Sequence, residues 1–332
     1  MSYIELNKSA FFNNLDIIAK KCKDKDKIAL VLKDNAYGHG LLEVATMAKE
    51  YGITKVVVRT VEEADLVKEF FEYILILRPT FPLRNEKNYV FTINALEDLQ
   101  KFSTDARLEL KVDSGMHRTG ISLDEIEEAK NIIEEKNLNL EGVFTHFRSA
   151  DAMSAEWFWQ NSNFKKIKKE FDVSKRFHSC NSAALFRVKD FDEDIVRVGI
   201  SAYGCLQMDR GFAERGFQPI LSVYAQRIST RTLLKGERLG YNASYEAKED
   251  MQIGCFDLGY ADGLKRSLSN SYQTPDGYEL LGRVSMDNSS YTSTEDKILI
   301  FDDANEMAAH VNTIAYEILT SLSPYLKRVV IG

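Results

Sequence analysis

Lys33 ends an apolar, largely aliphatic run, Ile28-Ala29-Leu30-Val31-Leu32, and the turn-forming residues Asp34, Asn35, Gly38 and Gly40 follow it closely. This pattern predicts a strand that stops at a lysine and opens through a polar loop into a helix. A lysine so placed lies at the rim of a hydrophobic interior. Desolvation there disfavours the ammonium and exposes an amine able to form a Schiff base with a carbonyl group. An ordinary solvated lysine is compatible with the same local sequence, so other parts of the chain must discriminate.

Further polar groups fall at the ends of similar runs. Asp113-Ser114-Gly115-Met116-His117-Arg118 follows the fifth, His146-Phe147-Arg148 the sixth, and His178-Ser179-Cys180-Asn181-Ser182 the seventh; Arg197-Val198-Gly199-Ile200 closes the eighth. Asn181-Ser182 opens a helix and Gly199-Ile200 is a small-residue turn. Together they offer backbone N–H groups suited to a phosphate, although Asn-Ser before a helix is also a plain N-cap. A Schiff-base lysine opposite a phosphate nest points to pyridoxal 5'-phosphate (PLP). His146 and His178 are either satisfied core histidines or, with Asp113, a metal set. No His-x-His or His-x-x-x-His spacing supports the metal, and none is expected.

The elements that must position these groups alternate. Apolar runs at Ile28–Leu32, Lys55–Val58, Tyr73–Leu77, Tyr89–Ile93, Arg107–Val112, Gly142–Thr145, Arg176–His178 and Ile195–Val198 are mostly separated by helical segments. These are Leu41–Tyr51, Val61–Phe71, Ala95–Phe102, Leu123–Lys136, Ala155–Phe171 and Ser182–Phe186, after a first amphipathic helix at Lys8–Lys21. Strands alternating with helices, without hairpin signals, predict parallel βαβ units, and eight strands suggest closure into a (β/α)8 TIM-type barrel. The active site would then lie at the C-terminal ends of the strands. The rhythm breaks near Gly204–Pro219. Strand-like runs at Leu221–Ser229, Met251–Leu258, Tyr278–Val284 and Lys297–Phe301, with one helix at Ala304–Leu322, predict a mainly β C-terminal domain. The expected division is a PLP-binding barrel over residues 1–215 and a β domain over 216–332.

Composition excludes several classes. The 332 residues carry a net charge of −7, and acids and lysines alternate along helical segments such as Ile126–Lys136, which argues against a nucleic-acid surface. The four cysteines form no C-x-x-C pair, so neither a zinc site nor a disulfide framework is indicated. No apolar run approaches the ~20 residues of a membrane span, and the N-terminus lacks a signal-like segment. A cytoplasmic enzyme is the expectation.

The stretch Val31-Leu-Lys33-Asp-Asn-Ala-Tyr-Gly-His-Gly40 closely resembles the lysine motif of alanine racemases. The resemblance continues in order through nearly the whole chain. It includes Lys111-Val-Asp-Ser-Gly-Met-His-Arg118-Thr-Gly, Thr145-His-Phe, Asn181-Ser-Ala-Ala, Arg197-Val-Gly-Ile, Gly259-Tyr-Ala-Asp-Gly, Gly282-Arg-Val-Ser-Met-Asp287 and Thr313-Ile-Ala-Tyr-Glu. It implies PLP-dependent interconversion of L- and D-alanine, supplying D-alanine for peptidoglycan. It also implies a head-to-tail homodimer in which the β domain completes the partner's site.

By this resemblance Lys33 holds PLP and serves as the base on the D face, while Tyr241 of the other subunit is the base on the L face. Two bases on opposite faces achieve racemisation with little movement. Arg197 faces the pyridine nitrogen and, being unable to give up a proton, keeps it unprotonated, which limits transamination. His146 is expected to link to Arg197. Tyr37, Ser182 and Ile200 hold the phosphate, with Asn181 and Gly199 beside them and Tyr325 as a further candidate. Arg118 engages the substrate carboxylate and the PLP phenolic oxygen, and Met286 offers a backbone contact to substrate. Lys111 is a candidate for carbamylation. Tyr260, Arg283 and Asp287 line the entryway.

Three positions depart from the family pattern. Tyr241 sits in Gly240-Tyr241-Asn242 rather than Ser-Tyr-Gly, with Tyr245 and Tyr260 nearby. His117 replaces a common glycine, and a tyrosine found near the C-terminus in some members falls on Pro324, one place before Tyr325. A racemase of broader specificity, acting on serine, is one alternative, since a hydroxyl gives only ~100-fold discrimination in an apolar pocket. A non-catalytic PLP-binding barrel protein is the second alternative, although it would lack the β domain seen in this pattern. A metal-dependent barrel hydrolase is a distant third.

Overall fold

The computed structural model describes residues 1–212 and 216–332. The expected domain boundary at 215 lies outside the described residues. Strand β1 (Tyr3–Asn7) is followed by a helix at Lys8–Cys22, whose N-cap Asn7 accepts a hydrogen bond from the Ala10 N–H. Eight parallel strands then form a nearly closed barrel: β2 (Ile28–Val31), β3 (Lys55–Val58), β4 (Tyr73–Ile76), β5 (Tyr89–Ile93), β6 (Arg107–Lys111), β7 (Asn139–Phe144), β8 (Arg176–His178) and β9 (Val196–Val198). β9 pairs with β2, and the seam between β8 and β9 is bridged by Asn181 against Arg197, with the Arg197 N–H donating to the Cys180 carbonyl at 3.0 Å. β2, β4 and β5 are buried along their whole length, which explains why they read as continuous apolar runs rather than alternating ones.

A mainly β region follows. The long strand β10 (Leu221–Leu233) pairs antiparallel with β1, with Met251–Phe256 and with Lys297–Phe301. β1 also pairs parallel with the C-terminal strand Lys327–Ile331. The chain's first strand thus belongs to the sheet built by strands between residues 221 and 331. Ile4 and Leu6 are fully buried there, and alternate with more exposed neighbours as a strand covered on one face requires. The helix expected at Ala304–Leu322 is two, Ala304–His310 and Ala315–Thr320. Asn312 takes a left-handed φ of 56° between them, and the Thr313 N–H closes on the Ala308 carbonyl.

The loop after Lys33 is tighter than a strand-to-helix turn. Asp34, Asn35, Ala36 and Tyr37 all have φ between 50° and 56°, a left-handed turn without glycine. Each such residue costs roughly 1–2 kcal/mol, so the surroundings must hold it. The Asp34 N–H donates to Glu63 at 2.6 Å, the Asn35 side chain accepts from the Leu41 N–H at 2.8 Å, and Nδ1 of buried His39 donates to the carbonyls of Ala36 and Tyr37. Arg328, from the C-terminal strand, donates through Nη2 to the Gly38 carbonyl at 2.8 Å.

Gly38 has φ 79°, and a Cβ there would lie 1.9 Å from the Leu319 carbonyl oxygen. Gly38→Ala is therefore expected to destabilise by at least about 2 kcal/mol. Gly277→Ala, with a similar φ of 87° and only the Gln273 side chain at 3.8 Å, should cost about 1 kcal/mol. Denaturant titration of both variants checks this, and equal losses would mean that backbone conformation alone, not the close approach to Leu319, sets the requirement.

Candidate active site

β2 delivers Lys33 to the barrel mouth. Its Nζ lies 5.8 Å from the centre of the Tyr37 ring and 3.4 Å from Asp34 Oδ2, with its side chain about one-third exposed (34%). The expected desolvation is thus only partial, and the left-handed turn brings the Asp34 carboxylate back against the amine. Asp34 is held in turn by Arg59, whose Nη1 is 2.6 Å from Oδ1.

Tyr37 is buried, and burial pushes its phenol well above the ordinary value. Its ring packs 5.6 Å from Tyr316 and 5.4 Å from Tyr203. Tyr316, on the helix Ala315–Thr320, keeps 43% of its surface exposed. Opposite, Ser182 opens a helix at Ser182–Arg187, and its Oγ accepts from the backbone N–H groups of Gly199 at 3.2 Å and Ser201 at 3.4 Å. The Ser201 hydroxyl reaches the same oxygen at 3.0 Å. A Cβ on Gly199 would lie 2.9 Å from the Tyr37 hydroxyl. Glycine therefore leaves room for the Tyr37 ring beside a cluster of two N–H groups and two serine hydroxyls that meet on the Ser182 oxygen, groups of the kind that bind a phosphate. Asn181 is the N-cap of that helix, its side chain accepting from the Ala184 N–H at 2.9 Å; the structure uses it for capping.

Arg197 is buried and almost fully committed. Nη1 donates to His178 Nδ1 at 2.6 Å and to the His178 carbonyl at 3.0 Å; Nη2 donates to the carbonyls of Thr145 at 2.6 Å and Ser179 at 3.5 Å. Its Nε–H has no hydrogen-bond partner among the described residues, so one fixed donor remains for a ligand atom. The imidazole bonded to Arg197 is therefore His178, not His146. His178 lies on β8 beside β9, whereas His146 lies beyond the end of β7 and feels Arg197 only through its charge.

That charge is one of four. His146 is largely buried, and its pKa is lowered to about 3, first by burial and then by Arg197, Arg118, Lys111 and Lys33. Four cations around a neutral imidazole form a pocket that attracts anions. Lys111 is lowered to about 8 by burial, Arg118 and Arg197, and it donates to the Thr119 hydroxyl. Arg118 is exposed next to it. A ligand bearing phosphate, phenolate and carboxylate groups would relieve this repulsion, and the residues present fit PLP with an amino-acid substrate.

The β region carries a second group. Tyr241 is 64% exposed, Met286 54% and Tyr260 43%. Met286 is brought to Tyr260 by the Tyr260 N–H donating to the Ser285 carbonyl at 3.0 Å and the Ala261 N–H to the Met286 carbonyl at 2.9 Å. Arg283, preceded by Gly282, backs the turn at Gly240 that presents Tyr241, and Asp287 is exposed next to Met286. No hydrogen bond, ion pair or ring contact joins these residues to Lys33 among the described residues. Tyr325 is 96% exposed. The buried residue of its turn is Leu326, so Tyr325 points outward and Tyr316 is the tyrosine beside Tyr37. The signal for Tyr316 lay in Thr313-Ile-Ala-Tyr-Glu, where Ala315, Ile318 and Leu319 are the buried positions.

A lysine at the mouth of a parallel barrel, facing a hydroxyl-lined anion cradle and a buried arginine, defines the PLP-dependent barrel enzymes as a class. Residues 6–207 match the family model for the alanine racemase N-terminal domain, and residues 220–330 match that for the C-terminal domain. The chain is 43% identical over 336 residues to an alanine racemase of a Nitratiruptor species, covering 99% of each chain, and 41% identical to one of Campylobacter curvus, also over 99% of each. A solved alanine racemase of Clostridium difficile 630 superposes with a TM-score of 0.91 at 26% identity, over 99% of this chain and 95% of that one. The structure from Bacillus anthracis with bound L-Ala-P gives 0.89 at 28%, over 100% and 95%. The chain belongs to the alanine racemase family, whose members are PLP-dependent isomerases.

The histidines held neutral by the fold imply a pH dependence. His39, lowered to about 4 by burial, and His146, lowered to about 3, stay neutral in the fold while the unfolded chain takes up protons below about 6.5. The unfolded state binds more protons there, so stability falls as pH drops from about 6.5 toward these values. Thermal unfolding of the cofactor-free protein is expected to show its midpoint dropping between pH 6.5 and 5, above the main carboxylate range, and His146→Gln should flatten that slope. An unchanged slope in the variant would contradict the assignment to His146.

Proposed function

We propose that the site residues divide the racemisation of alanine between two subunits. Lys33 and Tyr241 are the two bases, and the observation that carries this reading is their placement. Lys33 stands inside the cationic mouth of the barrel, while Tyr241 stands exposed on the β region, where a partner subunit's site would meet it. In the L-to-D direction, Tyr241 of the partner subunit takes the Cα proton and Lys33 delivers one to the opposite face; the reverse direction exchanges the roles. PLP, when bound, takes up the electron pair left at Cα.

The surrounding residues position the reactants. Ser182, Gly199, Ile200, Tyr37 and Tyr316 hold the phosphate, and Arg197 aims its free Nε–H at the pyridine nitrogen. Arg118 orients the carboxylate and phenolate, and Met286 meets the substrate from across the interface. Tyr260, Arg283 and Asp287 line the path inward. The chain is proposed to act as a head-to-tail homodimer in the cytoplasm, supplying D-alanine for peptidoglycan. No helix among the described residues is long and apolar enough to cross a membrane. The barrel and β regions are proposed as the two functional domains, with β1 contributed to the second.

Incubating the PLP-loaded protein with L-alanine in deuterated buffer is expected to give loss of optical rotation with deuterium at Cα. Tyr241→Phe should reduce exchange from L-alanine by about 10²–10⁴-fold. Retained exchange would shift the role to another base, and cofactor absorbance without any exchange on alanine would sink the function. Lys111, partly uncharged near pH 8, is expected to carry one carbon dioxide as a carbamate. Intact-mass measurement of gently handled protein would show the added mass, lost on acidification, and an unmodified mass would count against it.

A further inference from the structure

Behind Arg197 a chain of alternating charges runs through the barrel wall. Glu109, inward-facing on β6, is fully buried, and its Oε2 is 2.7 Å from His178 Nε2. Its Oε1 accepts two hydrogen bonds from Arg176, from Nε at 3.1 Å and Nη2 at 3.0 Å. Arg176 Nη2 also donates to Glu141 at 2.6 Å, and Glu141 is bound bidentately by Arg107 at 2.7 and 3.0 Å. The His178 ring stacks on Phe144 at 4.8 Å with an interplanar angle of 8°.

We propose that Glu109 is a positioning residue for the reaction, because it dictates the tautomer of His178 and through it the aim of Arg197. The ionised carboxylate can only accept, so His178 Nε2 carries the proton and donates it. Nδ1 is then left with a lone pair, which is what the Nη1–H of Arg197 needs. Were the proton on Nδ1, a donor would face a donor across the 2.6 Å contact, and the guanidinium would have to turn. Its Nε–H would turn with it. The inference rests on the reading that this Nε–H faces the pyridine nitrogen.

Glu109→Gln tests this with little change of volume. The two Arg176 donors require the amide oxygen at the Oε1 position, since the opposite orientation would set an NH₂ against a cation and forfeit two hydrogen bonds. The NH₂ therefore faces His178 Nε2, which must accept, and the ring proton moves to Nδ1. Long-range ¹H–¹⁵N correlation spectra of ¹⁵N-histidine-labelled holoenzyme report which nitrogen is protonated, and His178→Asn identifies the resonances among the five histidines.

The expected result is Nε2–H in the parent and Nδ1–H in Glu109→Gln. Alongside it, the number of racemisation turnovers per transamination event should fall about tenfold or more, as befits loss of a charge-assisted hydrogen bond. Transamination is read as pyruvate released together with the amine form of the cofactor. Glu109→Gln/Arg176→Met frees the amide to turn its oxygen to His178, and should restore both the Nε2–H signal and the ratio, which a general loss of stability would not do. An unaltered Nε2–H in Glu109→Gln overturns the proposal. A switched tautomer with an unaltered ratio would instead overturn the placement of Arg197 on the ring nitrogen, leaving Glu109's hold on His178 in place.

Discussion

Positive charge concentrated at the barrel mouth is the constraint on which the remainder of the structure depends. Lys33, Lys111, Arg118 and Arg197 all act on one partly buried, neutral imidazole, His146. Four like charges near each other in a partly desolvated space are costly unless something compensates them. For Arg197 the compensation is internal. Three backbone carbonyls and an imidazole lone pair take four of its N–H groups, and the negative charge of Glu109 lies one ring away. For Lys33 it is Asp34, held by Arg59. Lys111 instead holds its proton less tightly, its pKa lowered to about 8. The remaining positive charge leaves the pocket electrostatically prepared for an anionic ligand.

The loop carrying Lys33 and Tyr37 makes a second demand. Its left-handed backbone is unfavourable on its own, and it persists because Glu63, His39 and Arg328 each hold a specific backbone group. Arg328 is notable for coming from the C-terminal strand. The β region thus steadies the loop within its own chain, besides presenting Tyr241, Tyr260 and Met286 outward. Strand β1 ties the two regions together covalently and by pairing, since it leads into the barrel while lying in the β sheet. Loosening that sheet would be felt at the Lys33 loop.

Much of this was legible in the sequence alone. The eight barrel strands were readable because buried parallel strands are continuously apolar, and that property needs no knowledge of partners. The positions of Lys33, Ser182, Gly199 and Arg197 at the barrel mouth were readable because they stand at or near strand ends or open the helix after one, and Tyr37 because it falls in the same motif as Lys33. Tertiary structure decided what depends on contacts between residues far apart in the chain. It assigned His178 rather than His146 to Arg197, since adjacency of β8 and β9 cannot be seen in either histidine's neighbourhood. It set Tyr316, not Tyr325, beside Tyr37, because which side of a turn faces inward depends on the burial of Leu326. It placed β1 in the distant sheet and revealed Glu109, whose alternating position in Arg107-Leu-Glu-Leu-Lys111 marks a face but not the imidazole it meets. Local sequence determines an element's type and the residues at its ends. Pairing, facing and proton placement are decided only when the chain closes on itself.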